Sequence, residues 1–309
     1  MSSTQMVFGT ALLLFGIAPL LLGIAGSWRL RREPAPARRS VESGDVLDKL
    51  DIALPLASLL TYVLAFNLTF FLQELFLVLP KAFVPGLRPT LFHNNHGWEG
   101  DNPLAALYQG TGALATSCLA LLCSLLLYRR AMSGTARLLL IWMAYCGFFM
   151  ALPQVAIAAL SSGSDVGMAF AYLQLSAPAK LVAGVIALAL LPPIALWLLR
   201  ELFACAHTPL ANARDRQRFV WRCATVPALA ALPLIVLFRL PREWLEVLFL
   251  PVVVTWFGVA WMQAGAWLIQ PRTQRTAAAA RWPVRRLVLA ALLLLLVFQF
   301  VLRPGIRFY

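Results

Sequence analysis

Charged side chains are scarce in this chain, and acidic ones are the scarcest. Only 13% of the 309 residues are charged, with 13 acidic against 26 basic residues, whereas 61% are apolar and the mean hydropathy is +0.78. A water-soluble domain is about a quarter charged and about half apolar, and a disordered chain has low hydrophobicity. The composition therefore excludes both an ordinary soluble fold and disorder, and it indicates a polytopic membrane protein.

Cysteine and histidine are also rare. There are five cysteines, none in a Cys-x-x-Cys pair, and three histidines, so we expect the cysteines to be small packing residues. Glycine-rich nucleotide-binding motifs and the Gly-x-Ser-x-Gly of serine hydrolases are absent. The excess of basic residues does not predict a nucleic-acid partner, because most of them lie in short clusters between apolar runs.

Eight apolar runs are long enough to cross the hydrocarbon core of a bilayer, which takes about 20 residues. They are Met6–Trp28, Ile52–Leu79, Leu104–Tyr128, Leu138–Leu160, Ala179–Leu199, Val220–Phe238, Leu245–Ile269 and Leu287–Leu302. The first is kept as a span rather than a signal peptide, because no basic residue precedes it and no clean cleavage site ends it. The predicted fold is all-α, with 1–309 as a single integral membrane domain in a lipid bilayer.

Basic residues are distributed unevenly over the connections between these runs. Nineteen lie in connections that follow odd-numbered runs, and seven lie on the opposite side. Because the more basic connections stay in the cytoplasm, we expect both termini to face outward. The expected location is the inner (plasma) membrane of a bacterial-type cell.

Residues 80–103 interrupt the helical pattern between the second and third runs. Four prolines and three glycines exclude a continuous helix there. Phe83, Val84, Leu87 and Leu91 nevertheless keep the segment apolar in part. We therefore predict a short non-helical or hairpin segment that lies against the membrane, with its backbone sheltered by protein.

Four polar side chains at one predicted membrane face are candidates for a shared site. Glu74 ends the second run, His93 and His96 lie in the following loop, and Asp165 follows the fourth run. Imidazole and carboxylate groups are ligands of zinc and similar ions, and polar groups that converge in a membrane bundle mark active or ion sites. Each also has an ordinary structural explanation. Glu74 is then a solvated helix end, the two histidines lie in an interfacial polar loop, and Asp165 is a helix cap or turn residue.

Three short motifs follow one another along the same part of the chain. Gln73-Glu-Leu-Phe-Leu77 ends the second run, Gly110-Thr-Gly-Ala-Leu-Ala115 opens the third, and Ser164-Asp-Val-Gly167 follows the fourth. This order resembles the intramembrane zinc metalloproteases of the site-2 protease type, which have a His-Glu-x-x-His helix, a Gly-Pro-Leu-Ala-Asn-like stretch and an aspartate ligand beside glycine. The match covers roughly residues 65–175, as a protease-like core, with additional membrane helices in 176–309.

What the resemblance implies depends on the residue at each position. Glu74 matches the general base of that family, and Asp165 matches its aspartate ligand. Gln73 and Leu77, however, stand where two zinc-binding histidines are expected. Because leucine cannot bind zinc, the chain is either an inactive relative or a protease whose rebuilt Zn²⁺ site takes nitrogen ligands from the two loop histidines. The family's site generally faces the cytosol, whereas the basic residues place this face outward.

The sequence leaves several functions open. The first is the protease-like protein with a lost or rebuilt metal site. The second is a non-catalytic scaffold that binds membrane protein or peptide clients without cutting them. The third is a small-solute or ion transporter with Glu74 as a proton or cation site. Transport ranks last, because the spans after the fourth carry few polar residues that could form a path.

Overall fold

The computed structural model describes residues 2–32, 52–129, 132–206, 210–271 and 282–309. Within these ranges eight helices are long and apolar enough to cross a membrane. In chain order they are α1 (Thr4–Arg31), α2 (Ala53–Phe83), α3 (Leu104–Leu127), α4 (Gly134–Ala158) and, after the short helix α5 (Asp165–Tyr172), α6 (Ala177–Phe203), α7 (Ala213–Arg239), α8 (Val247–Gly265) and α9 (Val284–Leu302). Each coincides with one predicted run, which confirms an all-α polytopic membrane protein.

Helix α7 begins earlier than its apolar run indicates. The run starts at Val220, but the helix starts at Ala213, with a polar and basic first segment. Asn212 caps this segment by accepting a hydrogen bond from the backbone N–H of Asp215 at 2.8 Å. Hydropathy alone misses such a segment, because helix caps and polar faces extend a helix beyond its membrane-spanning part.

Helix α2 is at the centre of the bundle. It packs against α3, α4, α7 and α9, and most of its side chains are buried. Near its middle, the hydroxyl of Tyr62 lies 2.7 Å from that of Thr255 in α8, and the rings of Trp142 and Tyr145 from α4 pack edge-on against it. Helices α1 and α9 leave most of their apolar side chains exposed, as expected for peripheral helices that face lipid.

The apolar core is continuous from α1 to α9. Its buried side chains run from Val7 near one end of the chain to Leu302 near the other. Helices α7 and α9, from the second half of the chain, pack directly on α2. The division into a core over 65–175 and additional helices over 176–309 stays a prediction.

Residues 80–103 contain the predicted hairpin. Strand β1 (Arg88–Leu91) pairs antiparallel with β2 (His96–Glu99), and β3 (Ile306–Arg307) pairs with the other side of β1. The third strand was not predicted, because two residues are too short for a recognisable pattern. At the base of the hairpin Gly100 has a φ of +101°, and a Cβ there would lie 1.9 Å from the carbonyl oxygen of Gly86, so only glycine fits.

Tryptophan side chains attach α1 to α8. The indole N–H groups of Trp256 and Trp261 donate to the carbonyl oxygens of Phe15 at 3.2 Å and Leu14 at 2.8 Å. Both acceptors lie in a π-helical segment, Leu13–Ile17, whose wider turn departs from the ordinary hydrogen-bond pattern. Because an unsatisfied carbonyl is costly in lipid, the two indoles stabilise this segment and fix α1 against the bundle.

The contact between α4 and α8 gives a test of this packing. A Cβ at Gly258 would lie 2.3 Å from the ring of Tyr145, whose hydroxyl donates to the carbonyl of Thr255 at 2.8 Å. We expect Gly258→Ala to displace that ring and to lower the free energy of unfolding by about 1–3 kcal/mol, measured by denaturant unfolding in detergent. Gly9→Ala is the control, because a Cβ at Gly9 meets no atom within 4 Å; equal stability of the two variants would contradict the packing.

Candidate functional site

A cluster of polar side chains lies where the end of α2 meets the hairpin and the start of α3. It consists of Glu74 and Lys81 from α2, His96 from β2, Gln109 from α3 and Asp165 from α5, and we call it the Glu74 cluster. The hairpin folds back against α2, and α5 packs against the first turns of α3. These two contacts bring together segments that are far apart in the chain.

The shortest contact in the cluster joins Glu74 and His96. Nδ1 of His96 lies 2.7 Å from Oε2 of Glu74, and each side chain is only 8% exposed. Since a buried carboxylate is costly unless it is paired and hydrogen-bonded, the imidazole stabilises it. Glu74 is therefore a buried, partnered group and not a solvated helix end.

Both ring nitrogens of His96 face acceptor oxygens. Nε2 lies 3.0 Å from Oε1 of Gln109, and the same oxygen accepts a hydrogen bond from Nζ of Lys81 at 3.0 Å. A neutral imidazole carries one N–H and can donate to only one of its two oxygen neighbours. The ring of His96 thus links the carboxyl group of Glu74 to the side-chain amide of Gln109.

Lys81 brings a second cation into the cluster. Its side chain is fully buried, and its ammonium lies 4.1 Å from the ring centroid of Trp98, a cation–π contact. It also interacts electrostatically with Asp165 and Glu74. Sequence reasoning missed Lys81, although a signal was present: it follows Glu74 by two helical turns and so lies on a similar face of α2.

Asp165 joins the cluster from the first turn of α5. Ser164 is the N-cap of this helix, so Asp165 is its first residue and not its cap. Burial raises the pKa of Asp165; its electrostatic interactions with His96 and Lys81 oppose this rise, and its interaction with Glu74 adds to it. Glu74 and Asp165 thus lie among buried basic side chains, which include Lys81 and, near Glu74, Arg239.

The two positions where the resemblance expects histidines are packing positions. A Cβ on Gly112 of α3 would lie 2.7 Å from Cγ of Leu77 and 3.0 Å from Cγ of Gln73. Gln73 also accepts a hydrogen bond at its Oε1 from Nε2 of Gln154 in α4, at 3.0 Å. Helices α3 and α4 therefore occupy the space next to these two side chains, and Gly112 allows the close approach of α3.

The structure places His93 outside the Glu74 cluster. Its Nε2 lies 3.1 Å from the carbonyl oxygen of Leu240, after the end of α7, while its Nδ1 is buried without a hydrogen-bond partner. Burial lowers the pKa of His93; the Leu240 contact opposes this, and Arg303, Arg239 and Arg242 add to it. Glu74 and His96 therefore meet, and Asp165 interacts electrostatically with both. His93 lies apart from them, because it is at the turn of the hairpin rather than in β2.

The donor atoms of the cluster do not fit a zinc ion. Zinc takes three or four protein ligands, yet no group of three or more His, Cys, Asp or Glu side chains in the described ranges is placed to hold a metal. Both nitrogens of His96 are engaged, and the ammonium of Lys81 would repel a divalent cation. The expectation of Zn²⁺ gains no support from this geometry and stays a prediction.

Comparisons with known proteins do not place the chain in a family. No family model matches the sequence, and none of the curated proteins or solved structures compared with it matches either. The assignment to the multi-pass membrane class therefore rests on the eight helices. The resemblance to the site-2 proteases rests on residues 73–77, 110–115 and 164–167, and it also stays a prediction.

Removal of the Glu74 charge tests whether the cluster is an energetic unit. We expect Glu74→Gln to lower the free energy of unfolding by about 3–5 kcal/mol, because it leaves buried cations with one counter-charge fewer. Glu99→Gln, at an exposed carboxylate of the same hairpin, should change it by less than about 0.5 kcal/mol. Unfolding in detergent measures both.

A double-mutant cycle isolates the pair itself. Since the side chains of Glu74 and His96 are in contact, the effects of Glu74→Gln and His96→Asn should not add in the double variant. Additive effects would show that the short contact contributes little to stability.

Proposed function

We propose that this chain is a non-catalytic, protease-like integral membrane protein that binds membrane protein or peptide clients without cutting them. The observation that carries the proposal is the fully buried side chain of Lys81, which donates a hydrogen bond to Gln109 of the Glu74 cluster and interacts electrostatically with Asp165 and Glu74. In this proposal the lysine supplies the positive charge that a bound metal ion would otherwise supply at this place.

A lysine in this position supplies a positive charge next to the acidic side chains but cannot carry out the catalytic steps of a metal ion. A metal ion lowers the pKa of a bound water and polarises a carbonyl group, whereas an ammonium has no open coordination position. Glu74, at the position of the general base, is engaged by His96. Gln73 and Leu77 serve helix packing instead of metal binding. Each of these features supports an inactive relative over a rebuilt zinc site.

The open edge of the small sheet supports client binding. Strand β2 is the outer strand in the order β2-β1-β3. The carbonyl of Pro89 accepts from the N–H of Phe308 on the β3 side, and Trp98 lies directly opposite Pro89. By the alternation of an antiparallel ladder, the backbone N–H and C=O of Trp98 point away from β1. We infer that an extended client segment pairs with this edge, next to the Glu74 cluster.

Metal analysis of the purified, full-length protein tests the inactive assignment. We expect the wild-type protein to retain no near-stoichiometric zinc after dialysis against trace zinc, by elemental analysis. Near-stoichiometric zinc that is lost in His96→Ala and in His93→Ala would instead establish the rebuilt site and overturn the proposal.

A gain-of-site variant tests the resemblance separately. Gln73→His and Leu77→His together restore two histidines one helical turn apart with Glu74 between them. Combined with Lys81→Met, which removes the competing cation, they should produce zinc binding. The matched control is Gln73→His with Lys81→Met, which lacks the second histidine; equal zinc content in the two variants would contradict the predicted ligand positions.

Site-specific crosslinking tests client binding at the strand edge. A photoreactive residue at Glu99, which is exposed at the end of β2, should yield discrete adducts with polypeptides in native membranes. The same residue at Phe300, which is 74% exposed on the peripheral helix α9, should not. Identical adduct patterns from the two positions would show that contacts are random collisions in the bilayer.

A further inference from the structure

A groove of about 1130 Å³ lies between α1, α7 and α8, away from the Glu74 cluster. We call it the α1 groove. Its walls are three membrane-length helices, so most of it lies at the depth of the lipid chains. The tryptophan contacts that attach α1 to α8 act beside it: Trp256 and Trp267 donate to the carbonyl oxygens of Phe15 and Leu22. The groove is therefore formed by helices that are held in place.

The α1 groove is longer than one leaflet of the hydrocarbon core and can therefore hold a whole acyl chain. Along α1 it extends from Gly16 to Arg31, which is about 22 Å at 1.5 Å per residue. One leaflet of the hydrocarbon core is about 15 Å deep, half of about 30 Å. The groove thus runs from the membrane surface past the middle of the bilayer. The space beside α1 is open at this depth, since a Cβ at Gly23 would meet no atom within 4 Å.

One end of the groove is polar and positively charged, and the rest is mainly apolar, with Thr255 as a polar exception. Arg31, Ser27 and Gln217 line the end where α1 stops and α7 begins, and none of the described residues that line the groove is acidic. This end lies on the side of the membrane where nineteen of the 26 basic residues are expected. A positively charged pocket between membrane helices on that side suits an anionic lipid head group.

The charge and shape of the groove favour a lipid over another membrane helix, because Arg31 stands at one end and narrow apolar walls follow. Flexible acyl chains fill a narrow and irregular space more readily than a helix of fixed diameter.

We propose that the α1 groove binds a phospholipid with an anionic head group. An acyl chain lies along Gly16–Ile24, between α1 and α8, and the head group contacts the guanidinium of Arg31. The bound lipid fills the space that α1 leaves against α7 and α8, independently of any client or metal at the Glu74 cluster.

Lipid titration of the delipidated full-length protein tests the head-group contact. Phosphatidylglycerol and phosphatidylcholine with the same acyl chains are compared by native mass spectrometry. We expect wild-type protein to bind phosphatidylglycerol about tenfold more tightly, and Arg31→Gln to abolish this preference. Arg29→Gln is the matched control, because the guanidinium of Arg29 lies 5.5 Å from the Trp267 ring centroid and does not line the groove. No preference in wild type, or equal loss in both variants, would overturn the proposal.

Filling the groove tests the position of the acyl chain. Gly23→Leu places a side chain in the open space and should weaken binding of both lipids at least about tenfold. The reason is that the acyl chain loses the burial of several methylene groups. Gly9→Leu makes the same change on α1 outside the groove and should leave binding unchanged. Unchanged lipid binding in Gly23→Leu would overturn the proposal. It would also be overturned if a membrane polypeptide that co-purifies with the wild-type protein were absent from Gly23→Leu while lipid binding was intact.

Discussion

The burial of one carboxyl group, that of Glu74, constrains much of the first half of the molecule. A carboxylate at the end of a central membrane helix is costly unless charges and hydrogen-bond donors reach it. Helix α2 itself supplies Lys81, but its other close partner, His96, has to come from a different segment. The hairpin provides that segment, because it reverses the chain and returns it to the side of α2.

The same requirement shapes the elements around the cluster. Gln109 bridges His96 and Lys81 only because α3 starts beside the end of α2, and Gly112 allows α3 to come that close. Asp165 arrives on α5, which packs on the first turns of α3. Both ring nitrogens of His96 and the ammonium of Lys81 lie within hydrogen-bond distance of oxygens of the protein itself. An active metalloprotease keeps a coordination position open for water. Side chains that are bonded to one another, as here, leave no such position.

The periphery of the bundle follows a different principle. Around Tyr62 the helices interlock through aromatic rings and a hydroxyl pair, whereas α1 is held at separate points by indole donors. Directional hydrogen bonds can fix a helix without filling the space beside it. A protein in lipid can leave such a space open at lower cost than a protein in water, because lipid chains enter it and replace the missing contacts.

The sequence by itself determined the membrane class, the eight helices and the interruption at 80–103, because run length and proline content act locally and a bilayer demands apolar stretches of one size. It also singled out Glu74, His93, His96 and Asp165, since isolated polar groups in apolar surroundings are visible without a structure. Only the tertiary structure decided which of these groups meet. A strand of four residues sends His96 to Glu74 and leaves His93 at the turn beside Leu240. Which donors satisfy a buried charge depends on distances across the bundle, and these are set by packing between distant segments rather than by neighbouring residues.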